Sequence, residues 1–336
     1  MAPANETFDS SNRLTLPELY EQLRATGFVA RLIQLAFDED LGVRTEGAAS
    51  FGRPSPMGGD ITTTLCIPPS RHAIAQVVAR QSGVVAGLAC LPDLAAVFLA
   101  NTVIAARAED GDEVVKGQSV AVLEGPLDEI LGLERTLLNL VGRLSGVATK
   151  TRTYVEGMGI GHRARLYDTR KTTPGMRVLE KYAVRCGGGY SHRMGLHDAV
   201  LIKDNHLAGV ESAAALCEFV AAASRRARTT VPAPSFVEVE VDTLAQFESL
   251  LSLPKGTVDI VLLDNMGPEQ LRRAAAMRDE QSPSLQLEAS GGITLETLAT
   301  IAATGVDRIS SGALTHSAVQ LDFGLDIEEK PVDRRP

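Results

Sequence analysis

Between residues 165 and 312 the chain alternates short apolar runs with longer segments of helical spacing, and few folds accept that pattern. The runs are RLYDT (165–169), AVLIKD (199–204), FVEVEV (236–241), DIVLLDN (259–265), LQLEAS (285–290) and DRISSG (307–312). Helical patterns at 176–186, 210–227, 243–252, 268–280 and 294–303 lie among them. Such alternation marks parallel βα units. Six strands in one run predict a barrel rather than a flat sheet. The full set of eight that closes a (β/α)₈ barrel is not found, so an incomplete barrel is expected.

The runs also share a polar ending. They close on Asp168 with Arg170 and Lys171, on Lys203 with Asp204, on Glu238 with Glu240, on Asp264 with Asn265, on Ser290, and on Ser311. In βα barrels the carboxyl ends of the strands converge on the face where active sites are built. A charged residue on a buried strand is costly unless it is paired or functional. An ending shared by all the runs therefore predicts an active-site rim.

Charge says what the rim would bind. The chain carries a net −9, yet the stretch from Arg163 to Lys203 holds nine Lys or Arg against three Asp or Glu. Arg177, Lys181 and Arg185, four residues apart, are expected on a solvated helix face, whereas Arg170, Lys171 and Lys203 sit at strand ends. A cationic cleft in an acidic protein predicts a polyanionic small ligand. Arg suits planar, bidentate contacts to carboxylate or phosphate, and Lys acts as a mobile point charge. The last two strands end in SGG (290–292) and SSGA (310–313), where small residues let backbone N–H groups approach an anion. Glu240 and Asp264 stand between these ends and suit ribose hydroxyls and a Mg²⁺ that bridges pyrophosphate. The ligand expected is thus anionic at both ends with a sugar between.

The rest of the chain reads as a second organisation, from 13 to 137. One or two helices are expected from Pro17 to Leu41, a Gly-, Pro- and Ser-rich loop at 43–60, and short strands within 73–87 and 109–125. The segments 1–12 and 328–336 are polar and read as flexible tails. The N-terminus lacks a signal peptide's basic and apolar regions, and no apolar stretch reaches membrane-spanning length, so a soluble cytoplasmic protein is expected. Cys66, Cys90, Cys186 and Cys217 are scattered without metal-ligand spacing and read as small buried thiols. The acidic balance argues against nucleic acid.

Several stretches resemble the nicotinate-nucleotide pyrophosphorylase (carboxylating), or quinolinate phosphoribosyltransferase, family. The longest is DTRKTTPGMRVLEKYAVRCGGGYSHRMGLHDAVLIKDNH (168–206). ERTLLNLVGRLSGVAT (134–149), VEVEVDT (237–243), VLLDN (261–265), LEASGGI (287–293) and GALTHS (312–317) follow in the family's order, and the likeness runs from about 30 to 327. It implies an N-terminal α+β sandwich (13–137), an open, about seven-stranded α/β barrel of the type II phosphoribosyltransferases (138–317), and a segment at 318–327 that packs back on the sandwich. It implies a homodimer in which Arg135 reaches the partner's site. Arg170, His192, Arg193 and Lys203 match the quinolinate wall, and Lys171 matches a residue near both substrates. Glu240 and Asp264 match the pair serving ribose and metal, while Ser290, Gly291 and Gly312 match the phosphate pocket, beside Ser311. The implied reaction joins quinolinate and phosphoribosyl pyrophosphate, with Mg²⁺, to give nicotinate mononucleotide, CO₂ and pyrophosphate in NAD biosynthesis.

Two rivals are weighed. One is a related phosphoribosyltransferase with another acceptor, such as nicotinate or that of the paralogues encoded with molybdate transport genes. Four cations (Arg135, Arg170, Arg193, Lys203) exceed what a monocarboxylate needs, which favours a dicarboxylate. The other is a biotinyl or lipoyl carrier module, suggested by the hairpin look of EDGDEVVKGQSVAVLEG (109–125). The GPLDEILG that follows has no Lys and no Met for such a turn.

Overall fold

The structure is a computed structural model and describes residues 10–42, 59–68, 70–210 and 212–329. The loop expected at 43–60 lies almost wholly outside them, as do residues 1–9 and 330–336 of the tails. The chain forms two compact units.

One unit comprises 15–150, 173–188 and 318–336. Its helices are α1 (Leu16–Arg24), α2 (Phe28–Leu41), α3 (Ile61–Cys66), α4 (Leu91–Phe98), the 31-residue α5 (Leu127–Gly157, whose last turns belong to the other unit) and α6 (Arg177–Cys186). Local chemistry starts them. Thr15 and Glu18 form a capping box at α1 with Pro17 in its first turn, and Asp60 caps α3 by accepting from Thr63 N–H. The strands are β1 (His72–Ala79), β2 (Gly83–Val84), β3 (Val103–Ala106), β4 (Glu113–Val114), β5 (Ser119–Pro126) and β12 (Phe323–Glu329). β12, β1, β5 and β3 form an antiparallel sheet in that order, and β2 pairs with β4. β12 runs against β1 from Ala73↔Glu329 to Ala79↔Phe323, so the chain's last strand completes a sheet begun some 250 residues earlier.

Three expectations fail here. Residues 328 and 329, read as tail, end β12 in register with β1. Lys181, read as a solvated charge, is buried, because α6 packs against α1 and α2 instead of facing water. Only Cys90 and Cys186 are buried, whereas Cys66 is exposed and Cys217 half-buried.

The other unit comprises 1–14, 151–172 and 189–317. All six strand runs form strands: β6 (Arg165–Tyr167), β7 (Val200–Ile202), β8 (Val237–Val241), β9 (Ile260–Asp264), β10 (Gln286–Ser290) and β11 (Arg308–Ser310). Helices α7 (Ala213–Arg228), α8 (Leu244–Leu251), α9 (Pro268–Gln281), α10 (Leu295–Ala302) and the short α11 (Ala313–His316) alternate with them. The sheet is parallel, in the order β6-β11-β10-β9-β8-β7. Tyr190 adds a one-residue parallel bridge outside β6, a rudimentary seventh strand. Among the described residues no ladder joins this edge to β7, so the barrel is open. Ile260–Leu263 are all buried, as expected of a parallel strand covered on both faces.

Candidate active site

A cavity of about 710 Å³ lies at the carboxyl ends of the parallel strands. It is lined by Thr169, Arg170 and Lys171 after β6, by His192, Arg193 and Lys203, by Glu240 at the end of β8, by Asp264 and Asn265 at β9, by Ser290–Thr294 after β10, and by Ser310–Ala313 with His316 after β11. Every residue expected to bind substrate or metal except Arg135 lines this cavity, whereas Asp168, Asp204 and Glu238, also expected on the rim, do not. Arg135 lies on α5 in the other unit, two-thirds exposed, with Glu134 Oε1 3.6 Å away.

One wall is cationic. Burial lowers the pKa of Arg193, and the nearby Arg170 lowers it further, against the pull of Glu238 and Asp198. Arg193 Nη1 donates to Ala199 O at 3.2 Å, and Arg170 Nε is buried without a hydrogen-bond partner. Two half-desolvated guanidiniums that oppose each other's charge make a site for a dianion. Lys203 is already engaged, with Nζ 2.9 Å from Glu240 Oε2.

The segment carrying His192 and Arg193 has no ladder beyond Tyr190, so side chains hold it. Five consecutive N–H groups donate to them: Ser191 to Asn12 Oδ1, His192 to Asp168 Oδ1, Arg193 to His192 Nδ1, Met194 to Asp198 Oδ2 and Gly195 to Asp198 Oδ1, all within 2.7–2.8 Å. Buried backbone donors need partners, and these partners fix the loop's course. Asp168 thus acts beneath the rim rather than on it.

Below the wall lies a charged cluster in which sequence reasoning named only Glu238 and His192. His192 Nε2 is 3.0 Å from Glu238 Oε2 and 3.4 Å from Glu288 Oε1, while Arg308 Nε donates to Glu288 Oε2 at 2.7 Å. Arg308 also stacks 3.6 Å over the Tyr167 ring. Its signal in the sequence was a Glu and an Arg inside apolar runs on strands that pair Glu288 with Arg308. His192, Glu238 and Glu288 offer ligand atoms within 4.8 Å of one another, a metal-like trio. Yet Nδ1 accepts from Arg193 N–H, so Nε2 carries the ring proton, and a metal there would require an imidazolate. The trio holds protons instead. Burial lowers the His192 pKa, and Glu288 and Glu238 more than reverse this, to about 9. The Nδ1 contact with Arg193 N–H opposes a second ring proton, so the ring and the two carboxyls hold the extra proton between them. Burial, then Glu288, push the Glu238 carboxyl above its ordinary range, and neither of its oxygens has a well-directed hydrogen bond. Burial would raise Glu288 too, but His192 and Arg308 hold it down at about 2.

The far end of the cavity is built from glycines. Gly291 adopts φ +85, and a β-carbon there would strike the Asn265 side chain and backbone. A β-carbon on Gly312 would come within 2.7 Å of Lys171 Cδ, so the glycine lets the lysine lie across it. Thr315 Oγ1 donates to Lys171 O at 2.7 Å. Among the described residues no protein acceptor takes the N–H of Gly291, Gly292 or Gly312. The Ser311 N–H donates to Tyr167 O at 3.0 Å, so among these groups the glycine amides are the ones left for an anion. Asp264 sits between the two ends, paired in register with Ser290. Its pKa is raised by burial and by Asp242, against Lys203, Asn265 and Lys171.

Comparison with known proteins agrees with this architecture. Residues 147–326 match the model of the quinolinate phosphoribosyl transferase C-terminal domain, and residues 60–145 match that of the N-terminal domain. The chain is 42% identical over 276 residues to a nicotinate-nucleotide pyrophosphorylase (carboxylating) of Mycobacterium leprae, covering 80% of this chain and 92% of the relative. It is 35% identical over 306 residues to quinolinate phosphoribosyltransferase (decarboxylating) 1b of Nicotiana tabacum, covering 88% and 81%. The solved nicotinate-nucleotide pyrophosphorylase of Francisella tularensis superposes with a TM-score of 0.76 at 31% identity, over 95% of this chain and 99% of that one. The chain belongs to the quinolinate phosphoribosyltransferase family.

Proposed function

We propose that the protein transfers the phosphoribosyl group of phosphoribosyl pyrophosphate to quinolinate, with loss of the acceptor's 2-carboxylate, giving nicotinate mononucleotide, CO₂ and pyrophosphate. The observation that carries this reading is one cavity with opposed guanidiniums at one end and open glycine amides at the other. Arg170, Arg193 and Lys203 hold the two acceptor carboxylates, so that the ring nitrogen faces the anomeric carbon. His192, both of whose nitrogens face protein groups, supports Arg193 from behind. Lys171 reaches both substrates, and Gly291 and Gly312, beside Ser290 and Ser311, receive the phosphate. Glu240 and Asp264 hold the ribose and offset its developing positive charge.

The nitrogen lone pair forms the new C–N bond as pyrophosphate leaves. The ring nitrogen is then cationic and stabilises the electron pair left at C2 when CO₂ departs, after which C2 takes up a proton. Much of the catalysis is positioning. The two carboxylates, Glu240 and Asp264, fit Mg²⁺, which prefers one or two carboxylates plus substrate oxygens. When bound, the ion supplies neutralising charge at the pyrophosphate.

Arg135, exposed on α5 and outside the cavity, is the residue offered to a second copy in a homodimer. No helix among the described residues is long and apolar enough to cross a membrane, which supports the cytoplasm as the place of action. The test uses purified protein, Mg²⁺ and phosphoribosyl pyrophosphate with quinolinate labelled in its 2-carboxylate, and nicotinate in parallel. Labelled CO₂ and nicotinate mononucleotide from quinolinate alone are expected. Product from nicotinate alone would overturn the dicarboxylate reading.

A further inference from the structure

We propose that Asn12, in the N-terminal 3₁₀ turn Ser10–Arg13, is a positioning residue that clamps the acceptor wall. The proposal rests on the reading above that Arg193 faces the acceptor with His192 behind it. Asn12 is buried, and its amide pairs with both polar groups of Ser191: Nδ2 donates to Ser191 O at 2.9 Å and Oδ1 accepts from Ser191 N–H at 2.8 Å. A backbone carbonyl can only accept and its N–H only donate, so the pairing fixes the orientation of the amide. The side chain copies the contact a neighbouring strand would make, at the point where the Tyr190 bridge ends.

Ser191 immediately precedes the wall. The next N–H groups are held by Asp168, by His192 itself and by Asp198, so no ladder would restore the frame if the first clamp were lost. Among the holders named here, Asn12 comes from outside the barrel's own strands and loops, 179 residues away in sequence. It also lies outside both segments that match the family's domain models. Releasing it leaves two buried polar groups of Ser191 unpaired and lets His192 and Arg193 drift. A shift of about 1 Å in a positioning group costs up to about 100-fold.

The experiment compares wild type with Asn12→Ala and Asn12→Asp. The aspartate is the same size but sets an oxygen against Ser191 O in place of the donor. Both variants are expected to raise the KM for quinolinate about 10- to 100-fold, with the KM for phosphoribosyl pyrophosphate little changed and the melting temperature lowered by the unpaired Ser191 groups. Hydrogen exchange in the peptide spanning 190–196 should quicken in both. The clamp is overturned if Asn12→Asp behaves as wild type, or if both KM values rise to the same extent. Should wild type not use quinolinate, the functional reading fails by itself. The exchange experiment then decides the clamp alone, and unchanged exchange at 190–196 rejects it.

Discussion

Lys203 Nζ lies 2.9 Å from Glu240 Oε2, so a cation proposed for the acceptor and a carboxylate proposed for the ribose neutralise each other. The pair is partly exposed and therefore easily exchanged for substrate contacts. Glu240→Gln should free Lys203 and tighten quinolinate binding by a few-fold, while weakening phosphoribosyl pyrophosphate. Calorimetric titration of the variant with each ligand separately checks both signs. Weaker binding of quinolinate would mean that Glu240 supports the lysine and does not restrain it.

The opposition of Arg170 and Arg193 predicts a trade between stability and binding. Arg170→Gln removes a like charge beside a buried guanidinium, so the unliganded melting temperature should hold or rise. Quinolinate loses a charged partner, and kcat/KM should fall about 30- to 1,000-fold, which is roughly 2–4 kcal/mol. Thermal unfolding and steady-state kinetics on the same preparation test this. A clear drop in melting temperature without ligand would show that Arg170 has a structural partner instead.

The barrel was the most legible part of this chain. All six strand runs and the helices between them follow from periodicity, because strands such as β9, buried on both faces, read as unbroken apolar runs. The rim was legible for the same reason, because most polar residues that end such runs line one cavity, although Asp168 and Glu238 are buried beneath it. The 31-residue α5 was missed, since Gly132, Gly142 and Gly146 break its pattern. Gly142 and Gly146 are there because Leu321 O and Val319 backbone atoms fill the space of a β-carbon. The cluster of Glu288 and Arg308 needs the strand register, and Asn12 needs a contact across 179 residues. Local pattern carries neither.

Asp264 sets the acid limit expected of the reaction. Burial and Asp242 raise its folded-state pKa above the ordinary 3.8. The role proposed for it at the ribose needs the ionised form, so kcat/KM for phosphoribosyl pyrophosphate should fall as pH drops through that raised value. For stability the sign is opposite: this group's contribution is greatest at low pH and declines as pH rises from 3.8 through the folded value. Asp264→Asn should lower the rate and remove this acid limb. A limb that persists unchanged in the variant would assign it to another group.

Glu238 and Glu288 are two buried carboxyls with opposite assignments, and substitution separates them. Burial and Glu288 raise the Glu238 pKa, so Glu238→Gln, which keeps the shape without the charge, should cost little stability. Glu288 is the ionised partner of Arg308 at 2.7 Å. Glu288→Gln strands a fully buried guanidinium, and breaking a pair of this kind costs about 3–5 kcal/mol. The folded pKa of Glu288 is held at about 2 against an ordinary 4.5, so its contribution is present above 4.5 and lost as pH falls towards 2. Denaturant titrations of wild type and both variants across acid pH read this directly. If Glu238→Gln proved the more damaging of the two, the ionised carboxylate of the cluster would be Glu238, and the proton would belong to Glu288.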